Sequence, residues 1–172
     1  MKGSRKNGFL FYSIHTKFMV DKKELVNIVE EYLKDSSNYL VDVILGTGNS
    51  ITVEIDNDNG VDIDDCVALS RDIESKLDRE SEDFELTVTS AGLTSPFKTI
   101  RQYKKYENKE IEVVDKKGVK LAGVLKSSDD NGFTITVIKK VKPEGAKRKM
   151  EIEEDIHYKF DEVKYTKYLL RF

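Results

Sequence analysis

Residues 84–97 read Phe84-Glu85-Leu86-Thr87-Val88-Thr89-Ser90-Ala91-Gly92-Leu93-Thr94-Ser95-Pro96-Phe97, and they divide the chain. Phe84, Leu86 and Val88 alternate with polar neighbours, the period-two signature of a strand with one buried face. The alternation stops at Ala91-Gly92, and Ser95-Pro96 has the form of a helix cap followed by a first-turn proline. A strand that runs into a glycine-containing linker and a new helix start marks a boundary. Two folding units are expected around it, at residues 19–91 and 98–172, with a linker at 92–97.

Upstream of the boundary, Asp21 and Glu24 have the spacing of a capping box with aspartate in the cap. Leu25, Ile28, Val29, Tyr32 and Leu33 follow at helical spacing. Tyr39 to Leu45, a Gly46–Ser50 turn, and Ile51, Val53 and Ile55 alternating with Thr52, Glu54 and Asp56 predict a hairpin with one buried face. After Gly60, Asp62 can cap a second helix whose inner stripe is read as Ile63, Cys66, Val67, Ser70, Ile73 and Leu77. The order α-β-β-α-β buries every apolar stripe if both helices lie on one face of a three-stranded sheet. Residues 1–18 show neither period and read as a disordered extension.

Downstream, the Ser95-Pro96 start predicts a short helix with Phe97, Ile100 and Tyr103 inward. From Asn108 the period becomes two: Ile111 and Val113; then Val119, Leu121 and Leu125; then Phe133, Ile135 and Val137. Lys139 to Lys149 contains Pro143 and Gly145 and reads as an exposed loop. Strand-like runs follow at Lys149–Phe160 and Val163–Phe172. Short strands at this spacing, with Gly123 free to permit a sharp bend, predict a small β-barrel. The fold class is therefore α+β.

The net charge of −3 hides a polarity. From Met19 to Leu93 there are 6 Lys+Arg against 19 Asp+Glu, a balance of −13; from Thr94 to Phe172 there are 19 against 13, a balance of +6. Such asymmetry points to charged partners, although two solvated surfaces would carry the same charges. Lys139, Lys140, Lys142, Lys147, Arg148 and Lys149 gather around one loop and could pair with phosphates in a salt-dependent, sequence-independent way. The single cysteine, Cys66, cannot form an internal disulfide, so nothing implies an oxidising compartment and the cytoplasm is the expectation. No apolar run reaches the ~18 residues that would span a bilayer, and no membrane partner is expected.

Tests for chemistry fail one by one. Asp56-Asn57-Asp58-Asn59-Gly60 looks like a calcium loop, but counting from Asp56 the glycine comes one place early and position twelve is Val67. An Asx-rich turn explains the same residues. His15 and His157 have no second ligand at metal-binding spacing, and Cys66 lies in a helical core stripe. No phosphate-binding loop, dinucleotide fingerprint or nucleophile elbow occurs. No enzyme, metal or cofactor is expected.

The 84–97 stretch resembles the central signature of the ribosome maturation factor RimP family, which reads Leu-Glu-Val-Ser-Ser-Pro-Gly-Leu-Asp-Arg-Pro-Leu. Leu86, Val88, Ser90, Gly92, Leu93 and Pro96 match it, and Thr89 and Phe97 are conservative replacements. Thr87, Ala91, Thr94 and Ser95 depart, so the charged Asp-Arg pair is missing. Ile63-Asp64-Asp65-Cys66 leading to Leu69-Ser70 resembles the family's second helix. The resemblance covers residues 20 to 172. It implies an α/β amino-terminal domain, an Sm/SH3-like carboxy-terminal barrel and a monomer. Gly118, Gly123, Leu125 and Asp130 fit the Sm comparison, while Asn131-Gly132-Phe133-Thr134 does not reproduce an Sm base pocket. The implied role is non-enzymatic assembly of the bacterial small ribosomal subunit, through association with its twelfth protein and nearby rRNA. Ser90, Gly92 and Leu93 become candidate partner-binding residues by this resemblance. The alternative is a stand-alone RNA-binding module with an Sm-like barrel and the acidic domain as spacer.

Overall fold

The computed structural model describes residues 20–77, 83–145 and 147–171; the extension expected at 1–18 lies outside them. Helix α1 spans Lys22–Leu33 and is capped by Asp21, whose carboxylate accepts from Lys23 N at 3.2 Å. The cap bond goes to the second helical residue rather than closing a box through Glu24. Strands β1 (Tyr39–Leu45) and β2 (Ser50–Asp56) form the expected antiparallel hairpin. Helix α2 (Ile63–Lys76) then crosses over, so that β3 (Glu85–Ser90) runs parallel to β2. The sheet order is β1-β2-β3.

Leu25, Val29 and Leu33 of α1 and Leu69 and Ile73 of α2 bury Val43, Ile51, Val53, Ile55 and Phe84. The stripe read for α2 is corrected. Its buried axis is Leu69 and Ile73, with Cys66 partly buried beside it, while Ile63 is 81% exposed and Val67 41% exposed. Consecutive residues are separated by about 100° around a helix, so a face centred on Leu69 and Ile73 turns Val67 outward. Leu69 was the missing member of that stripe.

The C-terminal half builds a second core around Tyr103, Ile111, Val113, Leu125, Phe133, Ile135 and Val137. Helix α3 spans Ile100–Lys105 and is capped by Thr99 in a reciprocal box with Gln102. The start expected at Ser95-Pro96 is therefore displaced by four residues. Ser95 instead closes a turn on Gly92 O, and Phe97 N bonds Thr166 O at 2.8 Å, which pins the linker to the second sheet.

The remaining strands are β4 (Glu110–Asp115), β5 (Lys120–Ser128), β6 (Gly132–Val141), β7 (Met150–Lys159) and β8 (Val163–Tyr168). They form one five-stranded antiparallel sheet in the order β7-β6-β5-β4-β8. The expected barrel is open at its described hydrogen bonds: β7 and β8 are the two edges, joined by a one-turn 3₁₀ helix at Phe160–Glu162. Strand count cannot reveal whether the outer edges pair. β8 ends at Tyr168, short of the expected Phe172, and Lys139–Val141 belong to β6 rather than to a loop.

The sheet forks at Gly123. Below the fork β5 pairs with β4, from Glu110↔Val124 to Val114↔Lys120. Its pairing with β6 runs only from Val124↔Thr136 to Ser128↔Phe133. A Cβ at Gly123 would sit 2.6 Å from Thr136 O, so only glycine lets the strands cross this closely before they diverge. Beyond the fork, among the described residues, β6 pairs with β7 alone, and the two continue as a ribbon.

Candidate functional site

Two places in the molecule concentrate chemistry: the seam between the halves and the ribbon. The seam begins at the end of β2, where the calcium-like sequence sits. Asp56 and Asn57 are buried, and neither holds a metal-type cluster; no group of three or more His, Cys, Asp or Glu that could hold an ion occurs among the described residues. Asn57 Oδ1 accepts from Asn59 N at 2.9 Å, and Gly60 takes φ 101°, the Asx turn that the composition predicts. Asn57 Nδ2 donates to Asn38 Oδ1 at 2.7 Å and to Ser37 Oγ at 3.0 Å, and Asn38 Nδ2 donates to Asp65 Oδ2 at 2.9 Å. The turn is thereby fixed to both the β1 start and the α2 start.

Onto this fixed turn α3 lays its cations. Lys105 Nζ donates to Asp56 Oδ1 at 2.8 Å, with side chains only 15% and 7% exposed. The other Asp56 oxygen accepts from Tyr39 Oη at 3.2 Å and Gln102 Nε2 at 3.5 Å, and Asn57 N donates to Oδ1. A buried carboxylate needs this many partners, because an unpaired charge in the interior is costly. Burial, joined by the Asp56 charge, pushes the Tyr39 hydroxyl well above its ordinary range. One helical turn earlier, Arg101 pairs with Asp58 at 3.1 Å, donates to Ser37 O at 3.2 Å, and lies 4.2 Å over the Tyr39 ring.

Nearer solvent, Lys98 bridges Asp42 at 3.1 Å and Glu54 at 2.7 Å on the sheet face that the helices leave bare. Partial burial would raise the Asp42 carboxyl, but Lys98 and Lys22 outweigh it and hold it below its ordinary value. Lys98 loses some stability as a cation to burial, yet Glu54 and Asp42 raise it overall. Among the described residues, four acids of the N-terminal half are therefore engaged by the C-terminal half.

The candidate residues of the signature fall at the edge of this seam. Ser90 closes β3 opposite Ile55, Ala91 N bonds Ile55 O at 2.9 Å, and Gly92 and Leu93 form the exposed turn that follows, with Leu93 60% exposed. The six basic candidates lie elsewhere, along the ribbon and its tip. Lys139 pairs with Glu154, and Lys140 with Glu151 at 3.3 Å, across the strands. Lys142, Lys147, Arg148 and Lys149 are exposed and enter no ion pair among the described residues. No described contact joins the Ser90-Gly92-Leu93 group to the basic group.

Sequence reasoning missed Lys98, Arg101 and Lys105. Their signal was available: Arg101 and Lys105 share a face at i, i+4, and Lys98, Arg101 and Lys105 open the basic segment that follows the acidic one. The Asx-rich turn was read as a turn, and that reading was right but incomplete. Its carboxylates are the anchor for the other half.

Comparison with known proteins adds the family context. Residues 28–94 match the family described as the RimP N-terminal domain. The chain is 47% identical over 131 residues, covering 76% of it and 86% of the relative, to a protein of Porphyromonas gingivalis named ribosome maturation factor RimP. A protein of Christiangramia forsetii with the same name is 31% identical over 153 residues, covering 88% of this chain and 99% of that relative. One from Flavobacterium psychrophilum is 38% identical over 96 residues, 55% of this chain and 62% of its own length.

Proposed function

Since this chain belongs to the RimP family, we propose that it is a non-enzymatic ribosome maturation factor for the bacterial small subunit. It works in the cytoplasm by binding, and its role requires no catalytic group. The likeness to full-length relatives over both halves is the observation that carries this reading.

The charge polarity supports a division of labour. Basic small-subunit proteins, the twelfth above all, dock on the N-terminal half, and the C-terminal half faces rRNA. The acids for that docking are those outside the seam: Glu30, Glu31 and Asp35 around the end of α1, and Asp62 and Asp64 at the start of α2, all exposed. Residues 19–91 and 98–172 act as two domains, a division supported by two separate buried cores. The meander β4 to β7 with β8 returning beside β4 supports an Sm/SH3-like reading of the second one. Among the described residues no helix is long and apolar enough to cross a membrane. Binding lowers the free energy of a productive assembly intermediate, and maturation of the subunit releases the factor.

Sedimentation of cell extract containing the full chain tests this. Co-migration with free small subunits and absence from translating ribosomes is the expected result. A chain found only at the top of the gradient, or spread evenly through translating ribosomes, overturns it. A stand-alone RNA-binding module would instead bind RNA but not follow small subunits.

A further inference from the structure

The β6–β7 ribbon carries a set of exposed apolar side chains beyond the sheet. Past the fork, residues 137–141 pair only with 150–154, and this short ribbon carries Ile138 at 65% exposure, Val141 at 40%, Met150 at 57% and Ile152 at 44%. Directly paired residues share a face of an antiparallel ladder. Val141↔Met150 and Lys139↔Ile152 therefore lie on the face that continues the core pair Ile135↔Ile156, extended beyond the core into solvent. An isolated two-stranded ribbon is marginally stable, and an apolar edge strand invites misassembly. Here Lys139–Glu154 and Lys140–Glu151 pair across the two strands. At its tip, Lys142, Lys147, Arg148 and Lys149 outnumber Glu144.

We propose that this ribbon is an RNA-docking arm: its tip cations pair with phosphates while Val141, Met150 and Ile152 pack on ribose and base surface. This rests on the reading that the C-terminal half faces rRNA. Charge complementarity selects the occupant. Ribosomal proteins are basic and are repelled by this tip, whereas RNA is a polyanion. The apolar face selects RNA structure over a bare line of charge. The wide, shallow minor groove and unpaired stretches of RNA offer sugar and base surface.

The test uses the full chain and purified small-subunit rRNA, with duplex DNA of equal length as the control polyanion. Log affinity for rRNA should fall linearly with log salt. K147A/R148A/K149A should reduce that slope by about 2 to 3, one phosphate contact per cation. M150S/I152S should weaken rRNA binding roughly tenfold, at an unchanged slope, because it removes apolar burial only. It should leave DNA binding unaltered. Wild-type slope and affinity in the triple variant overturn the proposal. So does unchanged rRNA affinity in M150S/I152S, which reduces the ribbon to an electrostatic tether. Concentration-dependent self-association of the free chain that M150S/I152S abolishes also overturns it, in favour of a second copy as occupant. If wild type binds no rRNA at low salt, the reading of the C-terminal half fails as well. Small-subunit co-migration that persists in both ribbon variants, with rRNA binding unchanged, defeats this inference and leaves the maturation role standing.

Discussion

At the seam, Lys98, Arg101 and Lys105 each end on a carboxylate of the other half, whereas Lys142, Lys147, Arg148 and Lys149 at the ribbon tip end in solvent. The residue types are the same and the surroundings differ. At the seam, a fixed Asx turn brings partners into a partly buried site, where charge pairs are worth most and where breaking them costs most. At the tip, no neighbour among the described residues supplies a partner. A balance of +6 for the C-terminal segment thus mixes cations that hold the molecule together with exposed cations that enter no ion pair among the described residues. The −13 of the N-terminal segment mixes Asp42, Glu54, Asp56 and Asp58, already engaged, with the outward acids of α1 and α2.

The largest break in the comparison comes from Lys105→Met. It leaves Asp56 buried with neutral partners only, and the loss should be about 3 kcal/mol in urea denaturation. The double variant Lys105→Met with Asp56→Asn should recover more than half of that loss, because the stranded charge is gone. A single-variant loss below about 1 kcal/mol would mean that the seam cations are as dispensable as surface ones. Disruption of the α3 cap is the next effect. Thr99→Ala removes the bond to Gln102 N at 3.3 Å and should cost about 1 kcal/mol, read by the same measurement.

Much of the fold was legible because burial on one face writes itself into sequence period. Ile51, Val53 and Ile55 alternate and are fully buried, and Leu25, Val29 and Leu33 are buried at i, i+4, i+8. The errors arose where two local signals competed. Ser95-Pro96 and Thr99 with Gln102 both offer a helix start, and the chain uses the later one, where the capping box closes and Phe97 N is bonded to Thr166 O of the second sheet. On α2, Ile63 and Val67 are apolar but face outward, so hydrophobicity alone turned the stripe away from Leu69 around the helix. The site was less legible. A charge count cannot say which cation meets which acid, since that depends on where a chain segment more than 40 residues away in sequence returns. Strand spacing likewise cannot show that β6 and β7 outrun the sheet, because the fork depends on a close approach of Gly123 to Thr136.

A smaller effect sharpens the comparison within the seam itself. Lys98 is about one-third exposed, so Lys98→Ala should cost roughly 0.5–1 kcal/mol near neutral pH even though it removes two ion pairs. The pH dependence shows whether charge is the source. Asp42 is held below its ordinary value in the folded chain, so its contribution is present above the usual carboxylate range and is lost as pH falls through the lowered value. Lys98 is raised, so its contribution is present below the ordinary lysine value and is lost as pH rises through the raised one. The stability gap between wild type and Lys98→Ala should therefore close in acid and again in strong alkali. A gap that stays constant from pH 3 to neutrality would show packing of the lysine stem, not charge, to be the source.

The smallest effect is expected at the tip. Lys147→Ala, Arg148→Ala and Lys149→Ala together should leave stability within about 0.5 kcal/mol of wild type. Three adjacent cations repel one another, so removing them can even stabilise slightly at low salt, and the difference should vanish as salt is added. The seam rim responds to salt in the other direction, since screening there weakens attractive pairs. Opposite signs of the salt response, measured on the same chain by urea denaturation, would separate the two groups of cations without any partner present. Should the tip variants instead lose 1 kcal/mol or more, the tip cations must be holding structure, and they would then be seam-like residues rather than a surface kept open for a polyanion.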